Sequence, residues 1–230
     1  MARIGVVSFP GSLDDAQAAR AVTLAGGHPV RIWHADTELD GVDAVVLPGG
    51  SSYGDYLRPG ALAAVAPIIA AIRAAAAGGM PVLGVGNGFQ ILCEAGLLPG
   101  ALVANPTSTF RCLDARLRVE STTTAWTGAY TVGQRITLPV KNTHGRYVAD
   151  ENTVDHLQQT GSVVLRYEDG TATTIGHSGP ASGIAGIADE RGRVVGMMPH
   201  PEHAVEPGFG PSTDGLDVFA SALASLLETV

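Results

Sequence analysis

Three features predict an α/β fold with a mostly parallel sheet and a small antiparallel extension. Apolar strand-like runs alternate with helical patterns in the first hundred residues. Glycine-rich turns close several of those runs. The second half instead carries short β-type segments separated by Thr-rich turns. Residues 4–9 read as the first strand, broken by Pro10-Gly11-Ser12. Asp14 or Asp15 is placed to cap a helix running to about residue 25, and Gly26-Gly27 to stop it. Residues 30–34 and 44–47 follow as strands, the latter ending in Pro48-Gly49-Gly50-Ser51-Ser52. Residues 61–77 read as a helix, 82–85 as a strand and 89–95 as a short helix. Segments 115–120, 134–139 and 162–167 supply the extension. Residues 184–187 and 194–197 form a hairpin, and 219–227 a closing helix.

The 230 residues show no internal repeat or linker and are read as one domain, residues 1–230. A hydrophobic content of 45% against 16% charged residues excludes a disordered chain. The net charge of −8, with no Lys/Arg-rich run, argues against nucleic-acid or anionic-membrane partners. A small-molecule substrate in a local pocket remains compatible with it. The most apolar helical stretch is interrupted by Pro67 and Arg73, so no membrane span is expected. Met1-Ala2-Arg3 leads straight into a strand rather than a secretory signal, which predicts a cytoplasmic protein. Two cysteines, Cys93 and Cys112, give no disulfide framework.

In open parallel sheets, ligands bind beyond the carboxyl ends of the strands. The loops at residues 10–15, 48–55 and 84–90 occupy such ends, as does the one carrying His200. The stretch PVLGVGNGFQILC, residues 81–93, has the strand–turn–helix layout that carries a nucleophile in many hydrolases, yet its tip is Gly86. His200 and Glu202, two apart after a strand, are expected to face the same way in an extended segment. The acid would then orient the imidazole. The plainer alternative is a pair of ordinary loop polars. Gly49-Gly50 and Gly86-Asn87-Gly88 allow close backbone approach to a ligand, or are simply tight turns. No phosphate-loop or dinucleotide fingerprint is present, and no cofactor is called for.

The segments GVVSFPGSLDDAQAAR, PGGSSYGDYLRPGA, PVLGVGNGFQILCEAGLLPGAL, HGRYVAD, IAGIADERGRVVGMMPHPEHAVE and TDGLDVF carry a family resemblance from Ile4 to about Leu227. The chain resembles the class I glutamine amidotransferases, in particular the glutaminase subunits of phosphoribosylformylglycinamidine synthase in purine biosynthesis. The resemblance implies a flavodoxin-like three-layer fold and a Cys-His-Glu triad that frees ammonia from glutamine through a thioester. It also implies a synthetase partner that uses the ammonia. By position, His200 and Glu202 match the family's histidine and glutamate, and Gly50 and Asn87 its oxyanion-hole amides. Gln90 matches a residue lining the glutamine pocket.

The nucleophile's position is Gly86, and a glycine supplies no thiolate. Cys93, about two turns into the following helix, reads as a small buried residue, and Cys112 has no base beside it. Other departures cluster near the site. Ser51 stands where the family usually has phenylalanine, leading into Ser52 and Tyr53. The usual Gly-Glu-Gly-Arg-Tyr is Thr143-His144-Gly145-Arg146-Tyr147, and residues 176–180, with His177, align to an Asn-Pro-Asn-Gly-Ser loop. Ser51, Ser52, Tyr53, Gln90, His144 and His177 are therefore the expected substrate contacts. His144, His177 and His200 form a speculative metal set without a spacing motif. The leading expectation is a paralogue that cannot run thioester chemistry and applies His200, Glu202 and the oxyanion hole to another amide- or nucleotide-like metabolite. The alternatives are a synthase glutaminase subunit inactivated by cysteine-to-glycine change, and a non-catalytic binding module.

Overall fold

The computed structural model describes residues 1–168, 181 and 183–227. Its sheet is built from β1 (Arg3–Ser8), β2 (His28–Trp33), β3 (Ala44–Leu47), β4 (Val82–Val85), β6 (Arg111–Val119), β7 (Arg135–Asn142), β9 (Val163–Tyr167), β10 (Ile184–Ala188) and β11 (Val194–Met197). These nine strands run in the order β2-β1-β3-β4-β11-β10-β9-β6-β7. The pairings from β2 through β11 are parallel, and those from β11 through β7 are antiparallel. The predicted α/β class and its antiparallel extension are both present, the extension being four strands wide. Two short strands, β5 (Ala101–Val103) and β8 (Arg146–Val148), pair separately.

Alternating side chains of the parallel strands enter two cores, as a period of two requires. Ala44 and Val46 point into the core covered by α1 (Asp15–Leu24) and α5 (Leu216–Leu227). Val45 and Leu47 point into the core covered by α2 (Pro67–Ala77), α3 (Asn87–Glu94) and α4 (Glu151–Gln159). The result is the expected three-layer arrangement. Among the described residues, no helix is long and apolar enough to cross a membrane.

Several boundaries differ from expectation for identifiable reasons. The predicted helix at 61–77 begins only at Pro67. Ala66 is extended at φ −66°, ψ 149°, because a residue preceding proline is pushed out of the α region, while proline itself suits the first helical position. Residues Ala63–Val65 form a separate 3-10 turn. The strands β5 and β8 are too short to carry a pattern. Helix α4 buries only Val154 and Leu157, but Asp150 caps it by accepting from the Thr153 N–H at 2.9 Å. Residues 176–180, and with them His177, lie outside the described residues.

One close approach places the site. Helix α3 lies directly on β3 and β4, and a Cβ on Gly88 would overlap the carbonyl oxygen of Leu47. Backbone cannot yield there as a flexible side chain would. Gly88→Ala is expected to cost about 3 kcal/mol or more, read as a thermal or urea midpoint. An unchanged midpoint would mean that α3 does not need this contact distance.

Candidate functional site

Sheet order explains why distant residues meet. The strands β1, β3, β4 and β11 are neighbours, and the loops at their carboxyl ends carry Asp14, Gly50, Gly86 and His200. These four residues line one cavity of about 130 Å³, with Ser51, Asn87, Gln90, Lys141 and His144 also in its wall.

Gly86 sits between β4 and α3 at φ 53°, ψ −108°, and its N–H donates to the Met197 carbonyl at 2.8 Å. This positive φ is the strained conformation expected of an elbow, and glycine adopts it without steric cost. A Cβ built there would lie 2.9 Å from both Nε2 and Cε1 of His200. Position 86 therefore faces the imidazole directly, and a side chain there requires the ring to withdraw by a few tenths of an ångström.

His200 is 2% exposed and Glu202 3%. The Nδ1 of His200 lies 2.7 Å from Glu202 Oε1, so the pair meets as expected. It does so by a different route. Pro201 opens a 3-10 turn over Pro201–His203 instead of continuing an extended strand, and the turn folds Glu202 back beneath the ring. The Nε2 of His200 is buried without a partner among the described residues and is directed toward Gly86.

A second acid was not foreseen. Asp14 occupies the position before α1, yet its carboxylate does not cap the helix. Its Oδ1 accepts from Lys141 Nζ at 2.5 Å and lies 2.9 Å from His203 Nε2, while Oδ2 is 3.5 Å from His200 Nδ1. Burial opposes ionisation of Asp14. The His203 hydrogen bond and the charges of His200 and Lys141 outweigh it and hold the carboxyl well below the usual range. Gly49 is a glycine for a related reason, because a Cβ there would run into Asp14 Oδ2 and the His200 ring.

The opposite wall is organised by Asn87. Its Oδ1 accepts from the Ser52 N–H at 3.1 Å and its Nδ2 donates to Gln90 Oε1 at 2.9 Å. Gln90 in turn donates from Nε2 to the His144 carbonyl at 2.7 Å. One hydrogen-bond chain thus ties the 48–55 loop, the elbow and the 142–146 loop together. Asp55 also lines the cavity; burial raises its carboxyl, opposed by the Ser51 hydroxyl and by His144.

Of the residues expected at the site, His200, Gly86, Gly50, Asn87, Ser51, Gln90 and His144 line the cavity, with Glu202 behind the imidazole. Ser52 is buried against Asn87. Tyr53 is not in the wall. Its hydroxyl pairs with His34 Nδ1 at 2.7 Å, because Tyr53 and Gly54 adopt positive φ and turn the ring outward. The speculative metal set is also redrawn. Donor atoms of Asp14, His200, Glu202 and His203 lie within 4.8 Å of one another, whereas His144 is not in that cluster and acts electrostatically on Asp55. In that cluster the Lys141 ammonium, 2.5 Å from Asp14 Oδ1 and 3.0 Å from His203 Nε2, already supplies the positive charge. Cys93 is no substitute nucleophile: burial, with Glu94 beside it, pushes its thiol up. Cys112 is exposed on β6 and outside the cavity wall.

Residues 1–217 match the CobB/CobQ-like glutamine amidotransferase domain, and the chain belongs to that family. Within it, the chain is closely related to the glutaminase subunits called PurQ. It is 57% identical over 227 residues to the phosphoribosylformylglycinamidine synthase subunit PurQ of Rhodococcus jostii, covering 99% of both chains. It is 56% identical over 226 residues to the same subunit of Mycobacterium tuberculosis, covering 98% of both. A chain of the PurLQS structure from Thermotoga maritima superposes with a TM-score of 0.87 at 42% identity, covering 98% of this chain and 99% of that one.

Asp14 is depressed in the folded state, so its contribution is present above the ordinary aspartate pKa of about 3.9 and is lost as pH falls toward the lowered value. Asp14→Asn is expected to destabilise the fold by about 3 kcal/mol at neutral pH, with the gap narrowing in acid. Urea midpoints of the two proteins across pH test this. Coincident midpoints at neutral pH would remove Asp14 as an anchor.

Proposed function

We propose that this chain is a glutaminase subunit of the phosphoribosylformylglycinamidine synthase type whose thioester chemistry is closed by Gly86. The observation that carries the reading is 57% identity, over nearly the whole of both chains, to a subunit of that synthase. A paralogue with a rewritten pocket and a new substrate, the leading expectation from sequence, is supported less well. His144 meets Gln90 through its backbone carbonyl, and its ring nitrogens are not part of the donor cluster of Asp14, His200, Glu202 and His203.

The mechanism follows from the geometry at the elbow. In a cysteine-bearing member, the thiol at this position would give its proton to the imidazole nitrogen facing it and attack the amide carbon. His200, oriented by Glu202, has that nitrogen in place. The N–H groups of Gly50 and Asn87 are the proposed donors to the developing oxyanion. Gly86 offers neither proton nor electron pair, so no covalent bond forms and the amide carbon–nitrogen bond is not broken. What the chain retains is a scaffold for a synthetase partner, supported by the extensive match to a PurLQS chain.

The test is ammonia release from glutamine, with and without a synthetase partner. The native chain is expected to give none above background. Gly86→Cys is expected to raise release by on the order of a thousandfold or more, as removal of a nucleophile costs that much and more elsewhere. Robust turnover by the native chain would overturn the closed route. A folded, silent Gly86→Cys variant would overturn simple loss of the nucleophile.

A further inference from the structure

We propose that a second groove, at the end of the sheet opposite the elbow, binds a phosphate monoester whose organic part carries hydroxyls. Nothing in this groove depends on the elbow or on what Gly86 can do.

Strands β4 and β11 are parallel neighbours, and the elbow follows the end of β4. The turn that leads into β11, residues 189–193, therefore lies at the other end of the sheet. The acids and bases of this turn face different ways. Asp189 accepts from the N–H groups of Arg193 and Val194 at 2.7 and 2.8 Å, and Glu190 lies 2.7 Å from His156 of α4. Both acids line a groove beside α4, whereas Arg191 and Arg193 line a different one beside α5. Thr122, Thr123, Thr124 and Ser221 add hydroxyls to that second wall, and among the described residues no carboxylate lines it. In a chain of net charge −8, such a wall is not a reflection of overall composition.

The observation that carries the assignment is Arg193. Arg191 has an ordinary explanation, because it donates to the Ala77 carbonyl at the carboxyl end of α2 at 3.1 Å. Arg193 has none. It is half-buried, and its guanidinium makes no hydrogen bond or ion pair among the described residues. Withdrawing a cation from water with no anion beside it is costly, so a negative group completes the site. The guanidinium fork suits phosphate, whose oxygens accept several such bonds at once. The walls are already tied together. The Ala125 N–H donates to the Gly192 carbonyl at 2.8 Å, and the Ala129 N–H to Ser221 Oγ at 2.9 Å. A Cβ on Gly192, which sits at φ 66°, would lie 2.9 Å from the Thr123 carbonyl oxygen, so glycine lets the turn and the Thr loop come this close. The groove encloses about 620 Å³, far more than a lone phosphate fills and within the range of small-molecule sites. Its hydroxyls can donate or accept, which suits the alcohols of a sugar-like body.

Calorimetric titration of the full chain tests this, with glycerol 3-phosphate, ribose 5-phosphate, glucose 6-phosphate, inorganic phosphate and glucose as probes. At least one of the three esters is expected to bind about tenfold or more tightly than inorganic phosphate, and glucose not to bind at about 10 mM. Arg193→Ala is expected to weaken that ester by about tenfold or more. Its thermal midpoint is expected to stay that of the native chain, since the guanidinium has no protein partner to lose. Binding of none of the esters at about 10 mM would overturn the proposal. So would equal affinity for inorganic phosphate, which would leave an adventitious ion only, or an ester affinity that Arg193→Ala leaves unchanged.

Discussion

Two buried carboxylates, Asp14 and Glu202, converge on the Nδ1 side of His200 while Lys141 and His203 close the cluster. Burying such charges is expensive unless each finds close partners, so the cluster holds only if every contributing segment arrives together. Those segments come from both halves of the sheet. Asp14 follows β1 and His200 follows β11, in the parallel half, while Lys141 lies on β7 at the antiparallel edge. The His200 N–H also donates to the Pro139 carbonyl of β7 at 2.8 Å. The ionic cluster thus adds a side-chain link between the two halves that the β10–β11 pairing already joins, and it fixes the position of the imidazole.

That arrangement separates fold from chemistry. The cluster lies behind the ring, and the residue facing its front contributes little to holding it. The elbow demands positive φ, and α3 packs on the sheet through Gly88, whichever residue occupies position 86. A side chain at the elbow would carry backbone strain that glycine avoids. A glycine at the elbow therefore avoids a local cost while sparing the structure, as expected where the demands of a site oppose stability.

Much of this was legible in the sequence because it rests on apolar runs and on loop position. The strands at 44–47, 82–85 and 194–197 were read at their observed limits, since each is a short, fully buried run bounded by turn residues. His200, Gly86 and Gly50 were found because they follow such strands. Less legible were residues whose roles depend on what another segment brings. Asp14 carries a helix-capping signature, and only the arrival of Lys141 and His203 draws its carboxylate away. Lys141 is one polar residue in a strand and has no local signal at all. Tyr53 sits in a motif at the mouth of the site, but two successive positive-φ residues turn its ring to His34.

The residues around the cavity follow the same division. The contacts that hold the three loops together use backbone atoms at residues 51 and 144. Ser51 bonds through its backbone N–H to the Gly11 carbonyl at 2.9 Å, and His144 receives Gln90 through its carbonyl oxygen. The side chains that make the remaining links are those of Asn87 and Gln90. The side chains at 51 and 144 thus shape what a ligand meets without holding what frames it. A glycine at the elbow leaves that frame intact, since position 86 makes its contact through the backbone N–H to the Met197 carbonyl.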